Sequence, residues 1–181
     1  MTPRIAPIDP PYPPDVQAEF DKLMRGAPPL LLFRTLARNP RVLQRMIAGN
    51  LLDRGSVSLR ERELMILRTC ARCGAEYEWG VHVASFGAKA QWTDAQVRST
   101  ARGGAEDGCW SAQEKLLIRL ADQLHDTDRV DDALWNELAG RFAPEQLVEL
   151  VALAGLYRAV SYLVNALGVR NETFAPGFPS A

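Results

Sequence analysis

Cysteine is scarce, with three residues in a chain of 181, and histidine scarcer, with two. A small, odd set of thiols excludes a disulfide scaffold. The opening stretch MTPRIAPIDPPYPPD lacks the apolar segment of a secretory leader, so a reducing, cytoplasmic setting is the expectation. Charge of one sign is lacking too. Lys and Arg number 21 against 22 Asp and Glu, the formal net charge is −1, and no basic surface for nucleic acid is implied. No run of about 18 apolar residues passes without a charge, so no membrane span is expected. Alternating runs of β-branched residues and Asn-Gly turns, the usual marks of strands, are missing as well.

What remains reads as helix. Hydrophobic residues make up 47% and charged residues 24%, enough apolar side chains for one domain with a substantial core. Residues 1–14 form a proline-rich arm, because proline removes donors and fixes φ. Short helices are expected over Asp15–Arg25, Leu30–Ala37 and Pro40–Leu52. Ser58-Leu59-Arg60-Glu61 is a capping box for a helix that runs to Cys73, with Gly74 as its stop. The next helix spans Ala75–Ala90. Two further capping boxes, Thr93 to Gln96 and Ser111 to Glu114, open helices on either side of the glycine-rich loop Arg102–Gly108. Asp131 or Asp132 caps a short helix that ends near Gly140, and Pro144 opens the last one, to Leu167. That helix is apolar around most of its circumference, which suits a central or interfacial position. The expected class is all-α, with a single helical domain over 15–169 and a tail over 170–181.

The stretch LRERELMILRTCARCGAEYEWGVH, residues 59–82, holds the candidate chemistry. Its Cys70-Ala71-Arg72-Cys73 lies in the last turn of a helix, where the dipole disfavours thiolate. Two partly buried small hydrophobes are the simpler reading. On the following helix Glu78 and His82 are one turn apart and can touch. Glu63, on the preceding helix, can meet His82 across the hairpin. Two carboxylates around one imidazole would orient it and raise its pKa, giving an acid–base site, whereas on spacing alone an ordinary solvated Glu78–His82 pair is the simpler reading. A metal held by Glu63, Glu78 and His82 is conceivable from residue type alone. Trp79, Tyr77 and Cys70 are candidates for the wall of such a site. His125, at a helix C-terminus, and Cys109, in a loop, are assigned no role.

The same stretch resembles the carboxymuconolactone decarboxylase and alkylhydroperoxidase D superfamily. Redox members carry Glu, eleven residues, Cys-x-x-Cys, three residues, His. Set on His82, the pattern places its glutamate on Glu63 and its cysteines on Ala75 and Glu78. The acid–base pair is therefore present, and both aligned cysteines are absent. SAQEKLLIRLADQL and QLVELVALAGLYRAVSYLVNALGV resemble the C-terminal region of decarboxylase-like members.

The resemblance implies an alkylhydroperoxidase D-like helical bundle that assembles as a homo-oligomer, a dimer, trimer or hexamer. It implies no metal and no organic cofactor. The expected activity is that of a cofactor-free lyase of the carboxymuconolactone decarboxylase type. It would act on a small acidic or lactone-like metabolite by decarboxylation or proton transfer, with His82 as acid/base and Glu78 and Glu63 tuning it. A thiol peroxidase using Cys70 and Cys73 is the alternative, and a non-catalytic oligomeric binding protein the second.

Overall fold

The computed structural model describes residues 3–180. Among these residues there are nine helices and no strand: α1 Pro14–Met24, α2 Leu31–Leu36, α3 Pro40–Ala48, α4 Leu59–Arg72, α5 Glu76–Phe86, α6 Asp94–Arg102, α7 Ala112–Thr127, α8 Asp132–Ala139 and α9 Pro144–Leu167. The class is all-α.

The fold is built around α4. Ser58 accepts from the Glu61 amide, and the Glu61 carboxylate accepts from the Ser58 amide, so the first turn starts with its donors satisfied. Every residue from Arg62 to Cys70 is buried, because α5, α6, α7 and α9 surround the helix. Ile66 and Leu67 face one apolar cluster shared with α1–α3, α5 and α9, while Leu64 and Met65 face a second shared with α7, α8 and α9. Each such side chain contributes about 1.5–3 kcal/mol by leaving water. Arg68 anchors the arrangement: its Nε and Nη2 donate to Asp122 at 2.6 and 2.8 Å, and its Nη1 donates to the Gly103 carbonyl at 2.9 Å.

The turn from α4 into α5 sets the site. Gly74 has φ of +64°, and the Ala75 amide donates to the Cys70 carbonyl at 2.8 Å while the Gly74 amide donates to the Ala71 carbonyl at 3.0 Å. This is a Schellman closure, and its left-handed residue favours glycine. It folds α5 back against α4. The helix stops at Phe86, short of the expected Ala90. Gly87 is a weak helix former, Gln91 is left-handed, and Arg60 Nη1 donates to the freed carbonyls of Ala90 and Gln91.

By length and hydropathy α9 is long and apolar enough to cross a membrane, yet 44% of its apolar window is buried inside this fold. Leu153, Tyr157, Val160 and Val164 belong to the first cluster and Leu147, Leu150 and Ala154 to the second, so α9 joins the two. Segments near both ends of the described residues are held as well. Arg4 and Ile8 amides donate to the carbonyls of Leu167 and Arg34 at 3.0 and 3.1 Å. At the other end, Phe178 and Asn171 donate to Glu76, and Phe178 packs on Trp79. The C-terminal segment thus lies along α5.

Candidate active site

Glu63 projects from the middle of α4 and His82 from the second turn of α5, and the hairpin brings them together. His82 Nδ1 lies 2.8 Å from Glu63 Oε2, a good hydrogen bond. The other ring nitrogen, Nε2, is 3.4 Å from Glu78 Oε1, a charge contact longer than a good hydrogen bond. Behind Glu63 stands Arg62. Its Nε and Nη2 donate to Glu63 Oε1 at 3.0 and 2.9 Å, and its Nη1 donates to the Leu52 carbonyl at 2.8 Å. The result is a row of four charges of alternating sign, Arg62, Glu63, His82 and Glu78, all buried.

Burial on its own would depress the His82 pKa. The hydrogen bonds and charges of Glu63 and Glu78 outweigh it and raise the pKa to about 9, so the ring is an imidazolium at neutral pH. In that state Nδ1–H donates to Glu63 and Nε2–H points at Glu78. Tyr157 stands edge-on to the ring at 5.1 Å between centroids, and Phe86 lies at 5.3 Å. Desolvation, followed by the charges of Glu78, Cys70 and Glu63, pushes the Tyr157 hydroxyl well above its ordinary pKa, so it remains a proton donor.

The row ends at a cavity. A pocket of about 70 Å³ is lined by Leu23 of α1, Leu32, Phe33 and Leu36 of α2, Met46 and Ile47 of α3, Asn50, Leu52, and Leu156 and Val160 of α9, with Glu78 and Tyr157 in its wall. Glu78, and not His82, is the member of the row that lines it. His82 sits one layer back.

The other residues that the sequence suggests for the wall lie elsewhere in the fold. Trp79 is buried on another side of α5, donates from Nε1 to Thr100 Oγ1 at 3.0 Å and stacks on Phe178. Tyr77 accepts from the Leu32 amide and donates to Glu172 at 2.8 Å. Neither lines the pocket, because neighbours of Glu78 on a helix point about 100° away from it. Cys70 is sealed in the core, with its thiol pKa raised by desolvation, then by the Glu78 charge. Cys73 is half-buried and its thiol is raised by desolvation as well. It contacts His125 Nδ1 at 3.7 Å across a separate cleft. Among the described residues no group of three or more His, Cys, Asp and Glu is placed to hold a metal ion.

Three contributors are new. Arg62 carried a legible signal, an arginine next to Glu63 on the same helix. Tyr157 and Asn50 carried none, since neither lies near the hairpin in sequence.

Residues 40–122 match the sequence model of the carboxymuconolactone decarboxylase family. No curated protein matches the chain. Among solved structures, a cysteine-to-alanine variant of the debrominase Bmp8 in complex with 2,3,4-tribromopyrrole is similar at a TM-score of 0.79 and 14% identity, over 96% of this chain and 94% of that one. An uncharacterized peroxidase-related protein from Silicibacter sp. TM1040 has a TM-score of 0.79 at 15% identity, over 93% and 90% of the two chains. An alkylhydroperoxidase D core protein, also peroxidase-related, from Ralstonia eutropha JMP134 has a TM-score of 0.79 at 18% identity, over 93% of each. Identities this low establish a shared helical fold.

Proposed function

We propose that this chain, which belongs through residues 40–122 with the carboxymuconolactone decarboxylase family and its alkylhydroperoxidase D-like relatives, is a cofactor-free acid/base enzyme acting on a small metabolite. The observation that carries the reading is the row Arg62–Glu63–His82–Glu78 and its end at an apolar pocket. Glu78 is the group that meets the substrate. His82, as imidazolium, sits behind it and is itself held by Glu63. A carboxylate in a largely dry pocket is a competent base for a proton next to a carbonyl, and it can return that proton to another carbon. Tyr157 supplies a hydrogen bond for the oxyanion formed between the two transfers. The family segment contains all four charged residues. Most of the pocket wall, residues 23–36 and 156–160, lies outside it, so the chemistry and the substrate choice are carried by different parts of the chain.

Thiol peroxidase chemistry through Cys70 and Cys73 gains no support from the geometry, since burial raises both thiols and Glu78 occupies the second aligned cysteine position. A homo-oligomer is part of the proposal. Trp135, Val148, Val151 and Tyr162 leave large apolar surface exposed on α8 and α9, and light scattering that finds only monomer at micromolar concentration would count against it.

The reaction is tested by proton exchange. Small ketones and lactones are incubated with the protein in deuterium oxide, and loss of their α-proton signals is followed by NMR. The wild type should accelerate exchange, and Glu78→Gln should lower the rate by roughly 10²–10⁴-fold. Equal rates in the two proteins would overturn the assignment.

A further inference from the structure

We infer that the pocket selects a neutral, compact, largely apolar carbonyl compound and rejects carboxylates. The inference rests on reading Glu78 as the base, and it names the substrate class of that same site.

The lining carries the argument. Leu, Ile, Met, Phe and Val side chains make up most of the wall, and its polar members are Glu78, Tyr157 and Asn50. No Lys, Arg or His is among them. The nearest cations are committed elsewhere. Arg62 spends its guanidinium on Glu63 and on the Leu52 carbonyl, and His82 sits between the two carboxylates. A substrate carboxylate would therefore lose its hydration beside an existing negative charge, with no cation to receive it. Such a group either takes up a proton or stays in water.

A carbonyl oxygen meets the opposite situation. Tyr157 keeps its proton. Asn50 uses its Oδ1 to accept from the Leu52 amide at 3.0 Å, which leaves its amide NH₂ as a donor at the pocket wall. Donors for an oxygen and a carboxylate for a neighbouring C–H is the arrangement that a ketone or lactone requires. Size agrees. About 70 Å³ is well below the roughly 300–1,000 Å³ of sites for drug-sized ligands, so the ligand is small. The lining has too few polar groups for a sugar and no cation for a nucleotide phosphate or for the diacids that a decarboxylase would bind through their anionic groups. The reaction class that follows is proton transfer within a neutral substrate. The proton leaves carbon for Glu78 and returns to carbon, with no net change in oxidation state.

Pinacolone and pivalate provide the test, because they have the same shape and differ by a methyl group in place of an anionic oxygen. Each is titrated into wild-type protein at pH 7 with the methyl groups of Leu36, Leu156 and Val160 observed by NMR. Pinacolone should move these signals saturably, and pivalate should bind at least tenfold more weakly. In Glu78→Gln the gap between the two should narrow. Pivalate binding as tightly as pinacolone in the wild type, or no response of these methyls to pinacolone, would overturn the inference. The wild-type comparison stands without the variant. Because it reads occupancy, it also separates from the exchange assay: pinacolone that binds but exchanges no faster sinks the catalytic reading and leaves the selectivity intact.

Discussion

His82 Nδ1 and Glu63 Oε2 are 2.8 Å apart although 19 positions separate them in the chain. The contact is made by one backbone device, the left-handed Gly74 that turns α5 back along α4. Its electrostatic consequence is an imidazolium held in the core by carboxylates on both sides. The pKa of His82 is about 9 in the fold against an ordinary 6.5. Protonation is therefore favoured by folding. The stabilisation is fully present below about pH 6.5 and is lost as pH rises through about 9, with a full size on the order of 3 kcal/mol. Urea unfolding should show the wild type losing stability between pH 6.5 and 9.5, while His82→Gln should show no such loss from this group. An NMR titration should find the ring protonated at pH 8. A ring that titrates near 6.5 would remove the basis for both.

Arg62 stands at the end of the row away from the pocket, and its effect is on the charge of Glu63. Removing one partner of a buried pair leaves the other uncompensated, which typically costs 3–5 kcal/mol. Arg62→Met should be destabilised by about that much in denaturant titration. Arg62→Lys should fall between, since lysine keeps the charge and loses the fork that now spans Nε and Nη2. Arg62→Met combined with Glu63→Gln should cost less than the sum of the two single changes, because the stranded charge is gone. Strict additivity would mean that the two side chains do not act as a pair.

Local signals in the sequence reached the helices and the convergence of Glu63, Glu78 and His82. All three capping boxes are formed as hydrogen-bonded pairs, since such motifs are complete within four residues. Glu63, Glu78 and His82 were legible because a hairpin of two helices has few ways to place residues two or three turns from its break. The superfamily resemblance and the all-α class hold. The pocket was not legible. Its walls come from α1–α3 and α9, and which faces of distant helices meet is a tertiary outcome that periodicity does not encode. For the same reason the wall candidates chosen by closeness to Glu78 along the chain, Trp79 and Tyr77, are found on other sides of α5.

The cysteine pair should be chemically quiet. Cys70 is fully enclosed, and burial raises both its thiol and that of Cys73, whereas attack on a peroxide requires thiolate. A thiol reagent at pH 7.5 should label Cys73 slowly and should reach Cys70 only after unfolding. Cys73→Ser should keep proton exchange within a few fold of wild type, and organic hydroperoxide with a dithiol should give no turnover. Hydroperoxide turnover that disappears in Cys73→Ser would reinstate the peroxidase.

Gly80 marks where the C-terminal segment is pressed against α5. A β-carbon there would lie 2.2 Å from the Pro176 carbonyl oxygen and 3.4 Å from Ala175 Cβ. The first distance is impossible for real atoms, and the obstacle is backbone, so the segment itself must move. In an ordinary helix interior Gly→Ala gains about 1 kcal/mol. Here the sign should reverse. Gly80→Ala should lower Tm, and limited proteolysis should cut between 170 and 180 sooner than in wild type, because the hydrogen bonds of Glu76 to Asn171 and Phe178 and the contact of Phe178 with Trp79 would be lost. The control is a chain shortened after Val169. There the obstacle is gone, and Gly80→Ala should return to neutral or stabilising. If Gly80→Ala is equally destabilising in the shortened chain, the glycine is required by something other than the packed C-terminal segment.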